Sequence, residues 1–354
     1  MFLLLGSTPF ELGYTMPAEW ERHYATWLTW PNNKLTFIGD TLPDVELAYV
    51  QIIKYLVEGE MVQLLMKDSE EEARVRKLLE DAGVGLERVS MHIIPAGDVW
   101  FRDYGPIFVA KGNENNRQVA FTHWDFNVWG NKYEDIRPAA KVVSKMPIEE
   151  FREFRGGMVL EGGSIDTNGK GTFLTTEQCL LNKNRNPELQ KAQIEKKLRD
   201  NLGALHVVWL GGEIAGDDTN GHIDDLARFV SEDSVVCAVE EDRYDENFAA
   251  LHANYELLLD ATNATGKRLD VVPLNMPKKV EYDGQRLPAS YTNFYIGNSA
   301  VLVPAFDDPN DKKALSILKR FFPKRKVVGI DCRSLVVGFG AIHCITQQQP
   351  AGKP

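Results

Sequence analysis

The stretch Gly216-Asp217-Asp218-Thr219-Asn220-Gly221-His222-Ile223-Asp224-Asp225 sets one histidine among four aspartates, between a turn and an apolar run. Alternation beginning at Ile223 puts His222 and Asp224 on one face of a strand start. A histidine and a carboxylate side by side can hold a cationic substrate and move its protons. The plain alternative is a polar turn carrying a solvated histidine.

Such a pair gains in reactivity from a nucleophile. Cys344 follows the flexible Gly338-Phe339-Gly340-Ala341 and opens a short strand, the setting of an exposed thiol. Cys237 lies inside the apolar Val235–Val239, and Cys179 and Cys332 sit in contexts typical of buried structural cysteine. His222 is the best partner for Cys344. His343 neighbours the thiol, but adjacent strand residues point to opposite faces. The remaining histidines lack an acid–turn context. Two further carboxylates qualify. Asp103, in Trp100-Phe-Arg-Asp-Tyr-Gly-Pro, precedes a hairpin, where an Arg–Asp surface pair is the alternative. Glu161 precedes paired glycines in an otherwise apolar strand, where it must be paired if buried; an outward glutamate on a bulge is the alternative.

Positioning these groups requires a repeated element. Four hairpins are expected: Pro106–Ala110 with Gln118–Phe121, Met158–Ile165 with Thr172–Thr176, Leu226–Val230 with Ser234–Val239, and Tyr291–Ile296 with Ala300–Pro304. Helices over 187–201, 245–262 and 311–322 follow three of them, each leading to an apolar strand. Earlier, 43–58 and 68–83 read as helices, and Ala25–Trp30, Met61–Met66 and Val89–Ile94 as strands. A fifth unit splits across the ends, Ala25–Trp30 pairing with Ala341–Thr346, which would close a ring and remove open edges. An open α+β sheet has the same alternation. Without a linker or a break in composition, residues 1–354 read as one domain, with 1–15 as an N-terminal extension.

The 354 residues carry a net charge of −11, with 44% hydrophobic and 26% charged residues. This suits a globular protein and argues against nucleic-acid binding. Four cysteines without a CxxC pair indicate neither a zinc ribbon nor a thioredoxin-type site, and fit a reducing cytoplasm. Met1-Phe-Leu-Leu-Leu lacks a basic flank and is too short for a signal or span, so no membrane partner is expected.

Several ordered blocks carry a resemblance: Met16-Pro-Ala-Glu-Trp-Glu, Trp100-Phe-Arg-Asp-Tyr-Gly-Pro, Leu160-Glu-Gly-Gly-Ser, Asn182-Lys-Asn-Arg-Asn-Pro, Asp217-Asp-Thr-Asn-Gly-His-Ile-Asp, Ala289-Ser-Tyr-Thr-Asn-Phe-Tyr and His343-Cys-Ile-Thr-Gln-Gln-Gln-Pro. From about Pro17 onward the chain resembles the agmatine deiminases of the guanidine-modifying superfamily, which also holds bacterial peptidyl-arginine deiminases, arginine deiminases and amidinotransferases. The resemblance implies a five-bladed α/β propeller with pseudo-fivefold symmetry. It implies hydrolysis of agmatine to N-carbamoylputrescine and ammonia through a covalent amidino-cysteine, in putrescine biosynthesis, by a cytoplasmic homodimer needing no metal or cofactor. Carried over residue by residue, Cys344 is the nucleophile and His222 the general acid/base. Asp103 and Asp224 grip the guanidinium, Glu161 orients the histidine, and Asp218 and Trp100 line the substrate pocket. One departure stands out: the family's usual Gly-Gly-Gly-Asn before Ile-His-Cys is here Gly338-Phe339-Gly340-Ala341, which bears on the fit to the substrate's tail. The rivals are a peptidyl-arginine deiminase, a metal hydrolase built on His222, Asp217, Asp218 and Asp224, and a polyamine-binding protein without catalysis.

Overall fold

A computed structural model describes residues 7–113 and 116–354. The apolar opening Met1–Leu5 lies outside the described residues, as does the centre of the hairpin tip Gly112–Asn116.

Among the described residues, eighteen strands run in chain order. β1 (His23–Thr29), β2 (Met61–Met66) and β3 (Val89–Ile93) lie parallel to one another. β4 (Ile107–Lys111), β5 (Gln118–Asp125) and β6 (Arg152–Val159) form the next sheet, followed by β7 (Ile165–Thr167), β8 (Thr172–Thr176) and β9 (His206–Leu210). β10 (Ala227–Phe229), β11 (Ser234–Val239) and β12 (Asp270–Asn275) make the fourth. A small ribbon, β13 (Glu281–Tyr282) with β14 (Gln285–Arg286), precedes β15 (Tyr295–Ile296), β16 (Ala300–Ala305) and β17 (Lys326–Asp331). β18 (Gln347–Pro350) returns to β1, antiparallel, with Trp27 opposite Gln347 and Ala25 opposite Gln349.

One motif therefore recurs five times: an inner strand antiparallel to a middle strand, and an outer strand parallel to the middle one. Five separate sheets replace the open-sheet alternative; the chain is a five-bladed α/β propeller, its fifth blade assembled from both ends. Each parallel step needs a crossover. Helices Leu42–Leu56, Lys191–Leu202, Phe248–Asp260 and Pro309–Phe321 supply it, and Ser69–Asp81 joins β2 to β3. Their starts follow from capping: Asp68 accepts from Glu71 N, and Asp308 accepts from Asn310 N ahead of Pro309. Between β5 and β6 the crossover is irregular, made of the turns Val128–Asn131, Glu134–Lys141 and Val143–Lys145. Pro138 within it blocks a regular helix.

Three expectations need correction. Met158–Ile165 is not one strand: β6 ends at Val159, a 3-10 turn occupies Gly162–Ser164, and β7 starts at Ile165. The paired glycines let backbone approach backbone; a Cβ on Gly162 would sit 2.2 Å from the Arg102 carbonyl oxygen. Ile223–Asp225 is a 3-10 turn, so strand alternation does not govern His222 and Asp224. Likewise Ile342–Ile345 is a helical turn, and the strand pairing with β1 is Gln347–Pro350 instead of Ala341–Thr346. Within the stretch expected as an extension, Tyr14 is buried in a core cluster and Thr15 bridges Ala110.

The corrections share a pattern. A turn precedes each inner strand: Phe101–Tyr104 before β4, Gly162–Ser164 before β7, Ile223–Asp225 before β10, Tyr291–Thr292 before β15 and Ile342–Ile345 before β18. Phe101–Tyr104 packs against both Gly162–Ser164 and Ile342–Ile345, and Gly162–Ser164 against Ile223–Asp225. Beneath them Glu19 is clamped by Arg228 at 2.9 Å, His343 at 2.9 Å and Arg102 at 3.4 Å. Burial would raise the Glu19 carboxyl; Arg228, His343 and Arg102 outweigh it and hold the group far below its usual range.

Candidate active site

The turns deliver side chains from all five blades to one place. Cys344 lies in the turn of the fifth blade and is 7% exposed; its Sγ accepts from Asn293 Nδ2 at 3.1 Å and lies 3.7 Å from Asp224 Oδ2. Burial pushes the thiol well above its usual pKa, and the Asp224, Asp225 and Asp103 carboxylates push it the same way. Both effects favour the protonated thiol over the thiolate.

Asp103, His222 and Asp224 converge over Gly163. A Cβ there would meet His222 Nδ1 at 2.7 Å, Asp103 Oδ1 at 2.9 Å and Asp224 Oδ2 at 3.1 Å, so only glycine leaves room. Asp103 Oδ1 accepts from Gly163 N at 3.0 Å and faces His222 Nδ1 at 3.8 Å, while Oδ2 accepts from Trp129 Nε1 at 2.9 Å. Burial raises Asp103 to about 6, with His222 opposing and Asp224 and Glu161 adding to the rise. Burial alone would lower His222, but Asp103, Cys179 and Asp224 overcome it and raise the imidazole well above its ordinary value. Asp224 Oδ2 accepts from His343 Nδ1 at 2.7 Å, whereas Asp224 Oδ1 is buried with no hydrogen-bond partner. An unpartnered carboxylate oxygen away from water is costly and is relieved by a ligand bearing N–H donors.

Glu161 is fully buried and forms a 2.6 Å ion pair with Arg185. It lies within 4.8 Å of a ring nitrogen of His222 and of the Cys179 sulfur. Glu161, Cys179 and His222 are the donor set of metal-ligating type among the described residues, but the Arg185 guanidinium on Glu161 already neutralises it. The metal set imagined from sequence does not assemble: Asp217 caps its own turn through Thr219 N and Gly221 N, and Asp218 accepts from Tyr133.

A cavity of about 280 Å³ opens onto this cluster. Trp100, Asp103, Asp218 and Cys344 line it, with Trp129, Tyr133 and Phe339 as aromatic walls. Asp98 and Asp135 also face it, and no lysine or arginine is among its lining residues. Burial raises the Asp218 carboxyl, and a 2.5 Å bond from Tyr133 Oη works against that rise. His222 and Asp224 adjoin the cavity through Asp103 and Cys344, which line it.

Sequence reasoning missed three partners. Asn293 binds the sulfur and also donates to Asp225 Oδ1 at 2.9 Å. The signal was positional, since Asn293 lies just before β15, where the other blades carry Asp103, Glu161, His222 with Asp224, and Cys344. His343 was set aside on strand alternation; in a helical turn that rule lapses, and its ring bridges Asp224 and Glu19. Trp129 carried no chemical signal of its own.

Comparison with known proteins agrees with this geometry. The sequence profile of the Porphyromonas-type peptidyl-arginine deiminase family matches residues 15–350. An agmatine deiminase of Medicago truncatula is 37% identical over 378 residues, spanning 98% of this chain and 99% of its own. The solved agmatine deiminase of Enterococcus faecalis superposes with a TM-score of 0.90 at 33% identity, covering 98% of both chains. A C. jejuni agmatine deiminase with substrate bound superposes with a TM-score of 0.83 at 30% identity, covering 96% of this chain and 97% of that one. With the family profile spanning nearly all of the propeller and every blade contributing to the site, the chain belongs to the Porphyromonas-type peptidyl-arginine deiminase family.

Proposed function

We propose that the chain converts agmatine and water to N-carbamoylputrescine and ammonia. The observation that carries this reading is the Cys344 thiol beside two buried carboxylates, one of them, Asp224, with a free oxygen. A guanidinium is planar and presents forked N–H donors that match carboxylates on either side. Its charge offsets Asp103 and Asp224, two of the groups that keep the thiol protonated, so substrate binding favours loss of the thiol proton to solvent and leaves the thiolate.

The sulfur then attacks the central carbon of the guanidinium. His222, held cationic by Asp103, protonates the departing nitrogen, and the C–N bond breaks with loss of ammonia. The remaining amidino group stays bonded to Cys344. His222, now neutral, takes a proton from water, whose oxygen adds to the same carbon; the C–S bond breaks, the remaining hydroxyl proton passes to the departing sulfur, and the ureido product leaves. One difficult substitution becomes two easier ones, with one imidazole serving both proton transfers. Glu161 supports the placement of His222, and Trp100 walls the site.

The cavity favours a cationic tail. Asp98, Asp135 and Asp218 face it, and they would repel the carboxylate of free or peptide-terminal arginine. This supports agmatine over the peptidyl-arginine reading and fits a role in putrescine formation. A cytoplasmic homodimer belongs to the same proposal; four unpaired cysteines support the reducing compartment, and light scattering decides the dimer. The central test follows ammonia from agmatine and from arginine, with intact mass after acid quench to trap the adduct on Cys344. Faster turnover of arginine, or ammonia release that survives Cys344→Ser, sinks the reading.

A further inference from the structure

Four consecutive residues, Val128, Trp129, Gly130 and Asn131, have positive φ, at 51°, 54°, 89° and 63°. Left-handed backbone is unfavourable for every L-residue, and for a β-branched valine it is an outlier. Such strain persists where the surroundings over-determine it, and it gathers at functional sites. Here Asn127 Oδ1 accepts from Gly130 N at 2.9 Å and Asn131 N donates to Asn127 O at 2.6 Å. Asn127 Nδ2 donates to the Asn184 carbonyl at 2.9 Å. Asn184 in turn reaches Asn220 Oδ1 at 3.1 Å, two residues before His222.

The turn has two outputs. Trp129 sends its indole N–H to Asp103 Oδ2 at 2.9 Å, leaving Asp103 Oδ1 to face His222. Immediately after it, Tyr133 donates to Asp218 Oδ2 at 2.5 Å and Lys132 Nζ donates to the Asp218 carbonyl. The Trp129 and Tyr133 rings meet edge to face at 5.8 Å, so the two outputs share one packed contact. Asp103 and Asp218 line the same cavity.

We propose that this left-handed turn is a positioning device that aims two carboxylates into one cavity, Asp103 at the guanidinium through Trp129 and Asp218 at the substrate's tail cation through Tyr133. The proposal rests on reading the cavity as a guanidine site. Trp129 and Tyr133 are positioning residues in it. The groups facing Asp103 are His222, Asp224, Glu161, Arg185, Cys344 and Tyr104. Beside the backbone N–H of Gly163, Trp129 is the neutral side-chain donor to Asp103, so its removal disfavours the ionised carboxylate.

The test measures calorimetric binding of agmatine and of butylguanidine, which lacks the tail cation, to the Cys344→Ser protein between pH 5 and 8. Adding Trp129→Phe keeps a ring and deletes the donor. Both ligands are expected to bind roughly tenfold more weakly at pH 5.5, the scale of one hydrogen bond to a charged group. The pH at which half the affinity is lost moves upward. Adding Tyr133→Phe instead weakens agmatine roughly tenfold and butylguanidine less than about twofold, with that pH unmoved. A parent protein that binds neither guanidine overturns the site reading and the proposal with it. A parent that binds, with Trp129→Phe unaffected or with the two variants indistinguishable, overturns the proposal alone. Should Trp129→Phe fail to fold, the agmatine-to-butylguanidine ratio in Tyr133→Phe decides, and an unchanged ratio counts against the device.

Discussion

Asn293 and Asp103 show what single residues would contribute to the proposed chemistry. Asn293 Nδ2 is the side-chain donor to the Cys344 sulfur among the described residues, and its Oδ1 accepts from His343 N at 2.9 Å. Replacing it with alanine is expected to lower kcat by roughly 10- to 100-fold, the scale of one charge-assisted hydrogen bond, with KM changed much less; steady-state ammonia release checks this. Asp103 must be ionised to grip a cation. With its carboxyl at about 6, kcat/KM is expected to rise through that pH, and a profile flat from 5 to 8 would contradict it. Stability runs the other way. The folded-state value lies above the unfolded one of about 3.9, so the native state holds this proton more tightly. The stabilisation it gives is full below about pH 4 and is lost as pH rises through about 6, on the order of 2–3 kcal/mol. The melting temperature of Asp103→Asn, taken relative to the parent, is therefore expected to climb between pH 5 and pH 8, by thermal melts in matched buffers.

Capped helices and blade-edge turns divide the work at the element scale. The helix Pro309–Phe321 starts on Asp308, whose side chain accepts from Asn310 N, with Asp311 completing a capping box. Asp308→Ala is expected to destabilise the fold by about 1 kcal/mol in urea unfolding while leaving kcat unchanged, because this cap touches no cavity residue. Phe339 is a different case, a bulky residue at φ +71° in the cavity wall. Phe339→Gly relieves the backbone and widens the wall. Turnover of guanidines with thicker tails is expected to gain at least several-fold relative to agmatine, and competition between the two substrates measures it. The capped helices were legible in the sequence because caps and 3.6-residue spacing are local signals. The functional turns were not. Ile223–Asp225 and Ile342–Ile345 are a single turn each, too short to show a period, and apolar residues beside them imitate strand alternation. Cys344, His222, Asp224, Asp103 and Glu161 could nevertheless be singled out as candidates, since acids, thiol and imidazole stand out by chemistry. Asn293 and Trp129 act through neutral donors, which composition does not flag. The roles themselves came from family blocks and not from spacing.

For the whole molecule, the split blade is the decisive feature. β18 pairs with β1, Trp27 Nε1 donates to Gln349 Oε1 at 2.9 Å, and Arg102 reaches Gln347 and Gln348 at 2.7 and 2.8 Å. Ending the chain after Thr346 keeps every proposed catalytic residue yet removes these contacts. Such a variant is expected to lose all measurable turnover and to melt at least about 10 °C lower, given that 1 kcal/mol shifts a large domain by roughly 2–4 °C. Activity comparable to the parent would show that the seam is dispensable.

Because Asp103, Glu161, His222, Asn293 and Cys344 each hang from a different blade, no subset of the ring holds the proposed machinery by itself. Loosening any one blade, even for a moment, pulls one tool from the bench. Heat should therefore silence turnover before far-ultraviolet circular dichroism registers collapse, and the temperature at which it does so is set by the frailest of five joints, not by the average of them.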